Sequence, residues 1–335
     1  MKHWIHIGLA LTALGTIASA SADTPPVPAP APQELAPGVW MIPGGILPDR
    51  QPDGNSVVFD APAGLIVVDT GRHAWHREAI LALARAQQKK VVAIVNTHWH
   101  LDHVSGNPHL RAAYPGLRVY ASDAIDGALT GFFPSSAKES AGYLEDPQIP
   151  KETREDIRAD LLTMQNGSAL KPDDVIAASG TVTLGGRELR INLSPDAVTA
   201  GDLWLYEQNS RVAVLGDLVT LPAPFLDTAC PEGWKAALER VAATTFTVAI
   251  PGHGAPMTPS QFLLYRDSFD AFIDCASSTR PANECASRWA EAIKPLLADD
   301  PREHDRAQGM AEYYVGMLRA NGGRSKYCAS PAGAR

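Results

Sequence analysis

Three histidines and one aspartate lie within six positions of this 335-residue sequence, in the run NTHWHLDH at 96–103. The run directly follows VVAIV at 91–95, a continuous apolar segment typical of a strand covered on both faces. His98 and His100 are two positions apart, so in an extended loop both side chains point to the same side. Imidazole nitrogens and carboxylate oxygens suit Zn²⁺, with iron or manganese as competitors. The sequence therefore predicts a metal site at a strand end, with room for two ions.

The rest of the chain alternates between strand-like and helical patterns. A hairpin is predicted from strands at 57–59 and 65–68, followed by a helix at 75–87 and the strand at 91–95. Further predicted elements are a helix at 104–113, strands at 117–121, 175–177, 180–184, 187–193, 203–207, 212–215 and 246–250, and helices after 259 with breaks near Pro281 and Pro301. This order favours an α/β fold in which helices cover two paired sheets in four layers.

Residues 130–170 form a long polar insertion with prolines at 134, 147 and 150. Insertions of this length are often lids or binding loops, and we expect a lid here. It should contain a helix from about 152 to 164, whose charged part at 151–160 is expected to face solvent.

The N-terminal segment has the features of a signal peptide. Residues 1–22 contain Lys2, an apolar stretch and a small-residue cleavage site at 20–22. A membrane anchor is the alternative, but the apolar stretch is shorter than the roughly 20 residues that span a bilayer. The proline-rich run at 23–34 is expected to be an extended tether. We therefore expect a periplasmic or secreted protein with no stable membrane anchor after cleavage.

Four cysteines are present, at positions 230, 275, 285 and 328. An even number in an exported chain suggests disulfides, and four cysteines allow three connectivities. We favour Cys275 with Cys285, which would join two neighbouring helices, and Cys230 with Cys328. A cysteine metal site is the alternative, but no C-x-x-C spacing is present.

The motif H-x-H-x-D-H after a strand, preceded by Asp69-Thr-Gly, resembles the metallo-β-lactamase-fold hydrolases over about 35–258. Two further matches are LGD at 215–217 and PGHG at 251–254. The resemblance implies a four-layer αββα sandwich as catalytic domain at 35–258, followed by a C-terminal helical extension at 259–335. It also implies that His98 and His100 bind the first metal. Asp102, His103 and His253 would bind the second, and Asp217 would bridge both.

Other roles follow from the same resemblance. Asp102 and His100 are the predicted catalytic residues, with Asp102 also orienting the attacking water. Asp69 is expected to support a ligand histidine from behind. Trp99 and Phe225 are expected to line the substrate pocket, although simple core packing is an open alternative.

One position departs from the family pattern. Where the family usually has a histidine ligand, this chain has Val198, which cannot bind a metal. Either the first site keeps three protein ligands and a water, or it weakens and one metal remains. Asp196 is a further candidate ligand, and Thr199 and Asp202 are expected to hold the loop.

The function implied is an exported zinc-dependent hydrolase that cleaves an ester, thioester, lactone or related bond by metal-bound hydroxide. Asp217 argues against a β-lactam hydrolase, since those relatives generally lack this carboxylate, whereas a periplasmic location argues for one. A catalytically impaired metal-binding accessory protein and a di-iron redox protein remain alternatives. The expected partner is a small-molecule substrate. Nucleic acid is not expected, because the net charge of −8 repels polyanions.

Overall fold

The computed structural model describes residues 27–328, so the predicted signal peptide at 1–22 and the start of the predicted tether lie outside the described residues. The strands are β1 (Gln33–Ala36), β2 (Val39–Ile42), β3 (Ser56–Ala61), β4 (Gly64–Val68), β5 (Val91–Val95), β6 (Arg118–Ala121), β7 (Asp174–Val175), β8 (Gly180–Leu184), β9 (Arg187–Ser194), β10 (Asp202–Glu207), β11 (Val212–Thr220) and β12 (Val248–His253). The α-helices are α1 (Ala74–Ala86), α2 (Leu101–Val104), α3 (Asn107–Ala113), α4 (Ile125–Thr130), α5 (Phe132–Tyr143), α6 (Lys151–Gln165), α7 (Pro231–Ala242), α8 (Pro259–Ala276), α9 (Ala282–Ile293) and α10 (Pro301–Ala320). None of the helices in this range is long and apolar enough to cross a membrane.

The strands form two sheets. The first has the order β1-β2-β3-β4-β5-β6-β7, antiparallel up to β4 and parallel from β4 to β7. The second has the order β12-β11-β10-β9-β8 and is antiparallel except for the parallel pair β11 and β12. The parallel pairs matter most, because their carboxyl ends carry the candidate site.

Alternating side chains divide the core into layers, as the two-residue period of a strand requires. Phe59 of the first sheet and Leu205 of the second belong to one apolar cluster, which fills the space between the sheets. Val58 points the other way and packs with α1 and α3. Trp204 likewise faces away from the first sheet and packs with α7, α8, α9 and α10. The four-layer αββα sandwich with C-terminal helices is confirmed.

Several elements differ from the sequence prediction. The predicted helix at 104–113 is two short helices, α2 and α3, because Pro108 begins a new helical turn at the N-terminus of α3. Strands β1 and β2 and helices α4, α5 and α7 were not predicted. Strand β1 begins at Gln33, inside the range assigned to the tether.

Helix α6 agrees with its predicted position but not with its predicted exposure. Asp156 and Asp160 are buried, so the prediction that the charged face at 151–160 is solvated was wrong for these two side chains. Their carboxylates pair with Arg50 and Arg72, which lie on segments close to the site. Buried carboxylates require such partners, and helical spacing alone did not reveal them.

Both favoured disulfides are present. Cys230 pairs with Cys328 and Cys275 with Cys285, with Cα–Cα distances of 5.2 and 5.6 Å. The second joins α8 to α9, as expected. The first attaches the segment after α10 to the start of α7.

Candidate metal centre

The candidate ligands lie at the carboxyl ends of the two parallel strand pairs. Strand β5 ends just before the histidine run, and Asp69 directly follows its neighbour β4. In the second sheet β11 carries Asp217, and β12 ends at His253. The six predicted ligands are all buried: His98, His100, Asp102, His103, Asp217 and His253.

Within the described residues these side chains form two triads, each with one potential ligand atom per residue and all such atoms within 4.8 Å. The first triad is His98, His103 and Asp217, and the second is Asp102, His103 and His253. His253 Nε2 lies 3.0 Å from Asp102 Oδ2 and 3.3 Å from His103 Nε2. The grouping differs from the expected one, since His103 belongs to both triads. His100 approaches only through Nδ1, 3.9 Å from Asp217 Oδ2.

Asp69 fixes the orientation of two histidines. The Thr97 hydroxyl donates to Asp69 Oδ2 at 2.6 Å, so its remaining lone pairs accept from His98 Nδ1 at 3.0 Å. His103 Nδ1 donates to Asp69 Oδ2 at 2.8 Å. In both rings Nε2 is therefore the nitrogen left to bind a metal, and it points to Asp217.

His100 is oriented by the opposite nitrogen. The Thr228 hydroxyl donates to the Val198 carbonyl at 2.8 Å and therefore accepts from His100 Nε2, 3.0 Å away. Nδ1 of His100 is thus left to face Asp217.

The loop that carries Val198 places no ligand in the centre. The Val198 side chain is buried among the apolar residues packed outside the second sheet. Asp196 is exposed and belongs to neither triad. Thr199 donates to Asp202 through its amide and its hydroxyl, both at 3.0 Å, which confirms that these two residues hold the loop.

The cluster has the properties of a divalent-metal site. Among residues 27–328, His98 Nε2 and Asp217 Oδ1 are buried and make no hydrogen bond. Unpaired buried polar atoms of this kind cost free energy unless a ligand satisfies them. Four imidazoles and two carboxylates suit a metal such as zinc.

The protonation of the metal-free cluster also indicates a divalent-metal site. Burial alone would raise the pKa of Asp217, but the facing histidines, above all His103, hold it well below its usual range. Burial would lower the pKa of His103, yet the carboxylates of Asp217, Asp102 and Asp69 raise it well above 6.5. Protons therefore balance the carboxylates when no metal is bound, and a divalent cation can replace them.

Two glycines allow the backbone to approach the ligands closely. A Cβ at Gly252 would lie 2.0 Å from Asp217 Oδ1, and a Cβ at Gly54 would lie 2.3 Å from the His103 ring. Any larger residue at either position would displace a candidate ligand.

The centre forms the floor of a cavity of about 330 Å³. Trp99, Phe132 and Phe133 form one wall, with ring centroids 5.1 and 5.4 Å from that of Trp99. Phe225 packs edge-on against His100 at 5.0 Å. Trp99 and Phe225 thus line this cavity, and Phe132 and Phe133 belong to α5 of the inserted segment.

Three polar residues that orient or face candidate ligands were not predicted from the sequence. Thr97 and Thr228 orient His98 and His100, and Arg72 reaches Asp102 with a nitrogen–oxygen distance of 3.8 Å. Arg72 directly follows the Asp69-Thr-Gly motif, and this position was the available signal. No sequence motif marked Thr228, which follows a largely apolar segment.

Comparison with known proteins identifies the family. A sequence model described as the metallo-beta-lactamase superfamily matches residues 50–274, which is more than half of the chain. The chain belongs to the metallo-beta-lactamase superfamily. The superfamily binds divalent metals, which agrees with the cluster of imidazoles and carboxylates described above.

Two curated proteins are similar in sequence. A linear primary-alkylsulfatase from Pseudomonas sp. is 27% identical over 225 residues, which cover 60% of this chain and 41% of the relative. An atrochrysone carboxyl ACP thioesterase from Aspergillus fumigatus is 33% identical over 107 residues, which cover 31% of this chain and 32% of the relative. The matches thus span less than half the length of these relatives.

A solved structure shows the same fold. A beta-lactamase domain protein from Burkholderia ambifaria aligns with a TM-score of 0.56 over 90% of this chain and 91% of its own, at 19% identity. At that identity the likeness supports the fold and not a substrate.

Proposed function

We propose that this superfamily member is an exported zinc-dependent hydrolase that cleaves an ester, thioester, lactone or related carbonyl bond. The observation that carries the proposal is the convergence of two ligand triads on the floor of an apolar cavity. Bound divalent ions supply Lewis acidity and activate water near neutral pH. The names of the curated relatives, a sulfatase and a thioesterase, support hydrolysis without indicating this protein's substrate.

The ligands can be divided between two ions. His103 has only Nε2 free and can serve one ion, although it belongs to both triads. With His103, Asp102 and His253 around one ion, His98 Nε2 and His100 Nδ1 are left for the other. Asp217 lies between the two groups. The first site would then have three protein ligands, a number that leaves a catalytic zinc an open position.

Asp102 faces both the metal ligands and the cavity. Its Oδ2 lies 3.0 Å from His253 Nε2, while its Oδ1 faces Arg72 beside the cavity. Asp102 would therefore share an ion with His253 and orient an attacking water. His100 would position the substrate against Phe225.

Export is supported by the two disulfides, which persist mainly in oxidising compartments. The signal-like segment at 1–22 supports it independently. The proposed location is the periplasm or the external medium.

The test combines metal counting with a substrate panel. We expect about two zinc ions per chain and turnover of at least one neutral ester, lactone or thioester. His103→Ala should abolish turnover and lower the zinc content. His109→Ala, at an exposed histidine, should change neither. Absence of zinc-dependent turnover across esters, thioesters, lactones and β-lactams would contradict the proposal.

Val198 favours a second candidate, a metal-binding accessory protein without turnover, because its side chain offers no ligand and is packed in the core. This candidate predicts one tightly held ion and no activity in either the native protein or Val198→His. A di-iron protein would instead show iron on elemental analysis and visible absorption after anaerobic purification.

A further inference from the structure

Two adjoining cavities flank the metal centre, and their charges restrict the substrate. The cavity of about 330 Å³ and a second of about 400 Å³ share Ile46, Leu221 and His253 in their linings. Among the described residues that line either cavity, Arg72 is the single lysine or arginine. A substrate with an anionic group away from the metals would therefore depend on Arg72.

Arg72 is already hydrogen-bonded through two of its three guanidinium nitrogens. Its guanidinium pairs with Asp160 of α6 and with the Gln51 side chain, and its Nε donates to the Pro52 carbonyl at 3.0 Å. Its second terminal nitrogen faces Asp102 at 3.8 Å. Because the side chain is only 11% exposed, no free cation is presented to a ligand.

One wall of the first cavity is aromatic, and apart from the candidate metal ligands the charged side chains in its lining are Arg72 and Asp160. Trp99 packs against Phe132 and Phe133 on one side, and Phe225 closes the other. A carboxylate or sulfate placed against these rings would lose its hydration without gaining a partner, which costs several kcal/mol.

We propose that the part of the substrate beyond the scissile carbonyl is uncharged and apolar, such as an alkyl or aryl group, and that the Arg72–Asp160 pair excludes substrates with an anionic tail. The inference rests on the proposed hydrolase function. As substrates it favours neutral esters or lactones over thioesters of charged carriers.

A matched pair of esters tests it directly. Octanoic acid 4-nitrophenyl ester and the mono-4-nitrophenyl ester of suberic acid have the same eight-carbon acyl chain, and only the second has a distal carboxylate. We expect kcat/KM to be at least about 100-fold higher for the octanoate, in line with the cost of burying an unpaired charge. Equal values, or a preference for the suberate, would overturn the proposal.

The variant Asp160→Asn examines the role of the pair. Releasing Arg72 should give the suberate carboxylate a partner and lower the octanoate preference at least about tenfold. Glu155→Gln is the matched control, because Glu155 lies on the same helix, is 44% exposed and pairs with Arg50 instead. The ratio of two substrates is insensitive to a general loss of activity, so an unchanged ratio in Asp160→Asn would contradict the role given to the pair.

Binding separates this inference from the proposed function. Octanoic acid anilide and the monoanilide of suberic acid, which keeps the distal carboxylate, replace the esters in calorimetric titrations of the protein with and without added zinc. Preferential binding of the octanoic anilide, with no zinc-dependent turnover of any ester, thioester, lactone or β-lactam, would leave the inference standing and refute the hydrolase. Equal binding of the two anilides, or binding of neither, would overturn the inference whatever the activity.

Discussion

Single hydroxyl groups decide which nitrogen each of two histidines presents to the metal centre. A threonine hydroxyl has one hydrogen, and in Thr97 and Thr228 that hydrogen is donated to Asp69 and to the Val198 carbonyl. Each oxygen must then accept from its histidine. Opposite nitrogens of His98 and His100 are consequently protonated, and the two remaining lone pairs meet at Asp217.

Replacing Thr228 by valine tests this arrangement. The variant keeps the shape of the side chain but leaves the Nε2–H of His100 without its acceptor. Loss of such a supporting hydrogen bond typically weakens metal binding about 10-fold to 100-fold. Competition with a zinc chelator measures the affinity, and Thr228→Ser, which keeps the hydroxyl, is the control. An unchanged affinity in the valine variant would show that Thr228 does not orient His100.

Asp202 gives the protein a pH-dependent stability. Burial, assisted by the nearby Asp217 charge, raises the pKa of Asp202 to about 8 against the hydrogen bonds from Thr199. Between about pH 4 and 8 the native state therefore holds a proton that the unfolded state has released. Stability falls as pH rises through this interval, by about 1.4 kcal/mol per unit for one proton.

Asp202→Asn should remove this dependence, because an amide stays neutral and can still bond to Thr199 through both its atoms. The free energy of unfolding of the variant minus that of the wild type should therefore increase steadily from pH 5 to pH 7. Urea unfolding of the metal-free proteins at several pH values measures the difference. A constant difference would mean that Asp202 is ionised in the folded protein.

At the scale of elements, helix α6 is held over the site by buried charge. Asp156 accepts from Arg50 at 2.7 Å and from the Gln51 amide at 3.0 Å, and its third contact is His73 Nε2 at 3.1 Å. Asp160 pairs with Arg72 one turn further along. The inserted segment is thus connected to residues that border the metal centre.

Two variants on this helix compare buried and exposed charge. Asp156→Asn removes the charge of a side chain that is 4% exposed and should destabilise the protein by about 3 kcal/mol, since its partners remain buried. Glu155→Gln alters a neighbour that also pairs with Arg50 but is 44% exposed, and should change stability by less than about 0.5 kcal/mol. Urea unfolding measures both. Equal effects would mean that α6 is held by its apolar contacts.

The sequence predicted elements well where a single periodicity dominates. Strands β4 and β5 are continuous apolar runs, and their predicted bounds agree with the structure to within a residue. Strand β1 is short and largely exposed, so no pattern distinguished it. The burial of Asp156 depends on Arg50, about a hundred residues earlier, and such pairing leaves no local trace.

At the scale of the whole molecule, the candidate site is a junction between the sheets. Asn55, just before β3, donates through its side-chain amide to the carbonyls of Pro251 and Gly254, both at 2.9 Å. The Gly54 amide donates to the Asp102 carbonyl at 3.1 Å. Ligands that are far apart in sequence therefore keep their distances only while the two sheets stay together.

The C-terminal disulfide contributes to that assembly from outside the sandwich. Cys230–Cys328 closes a loop with a sequence separation of 98, compared with 10 for Cys275–Cys285. It also holds Tyr327 against Phe132 of the cavity wall, with ring centroids 5.3 Å apart. A chain-entropy estimate assigns about 4.7 kcal/mol to a loop near 100 residues and about 3 kcal/mol at most to the short one.

The two cysteine pairs can be compared by replacing each with serines. The Cys230→Ser, Cys328→Ser double variant should lose more stability in urea than the Cys275→Ser, Cys285→Ser double variant, by roughly 1–2 kcal/mol. It should also raise KM for the octanoate ester more than it lowers kcat, because the freed segment contacts the cavity wall through Tyr327 and not the metal ligands. If the short-loop variant proves the less stable, local packing between α8 and α9 outweighs loop closure, and the C-terminal segment contributes little to holding the wall in place.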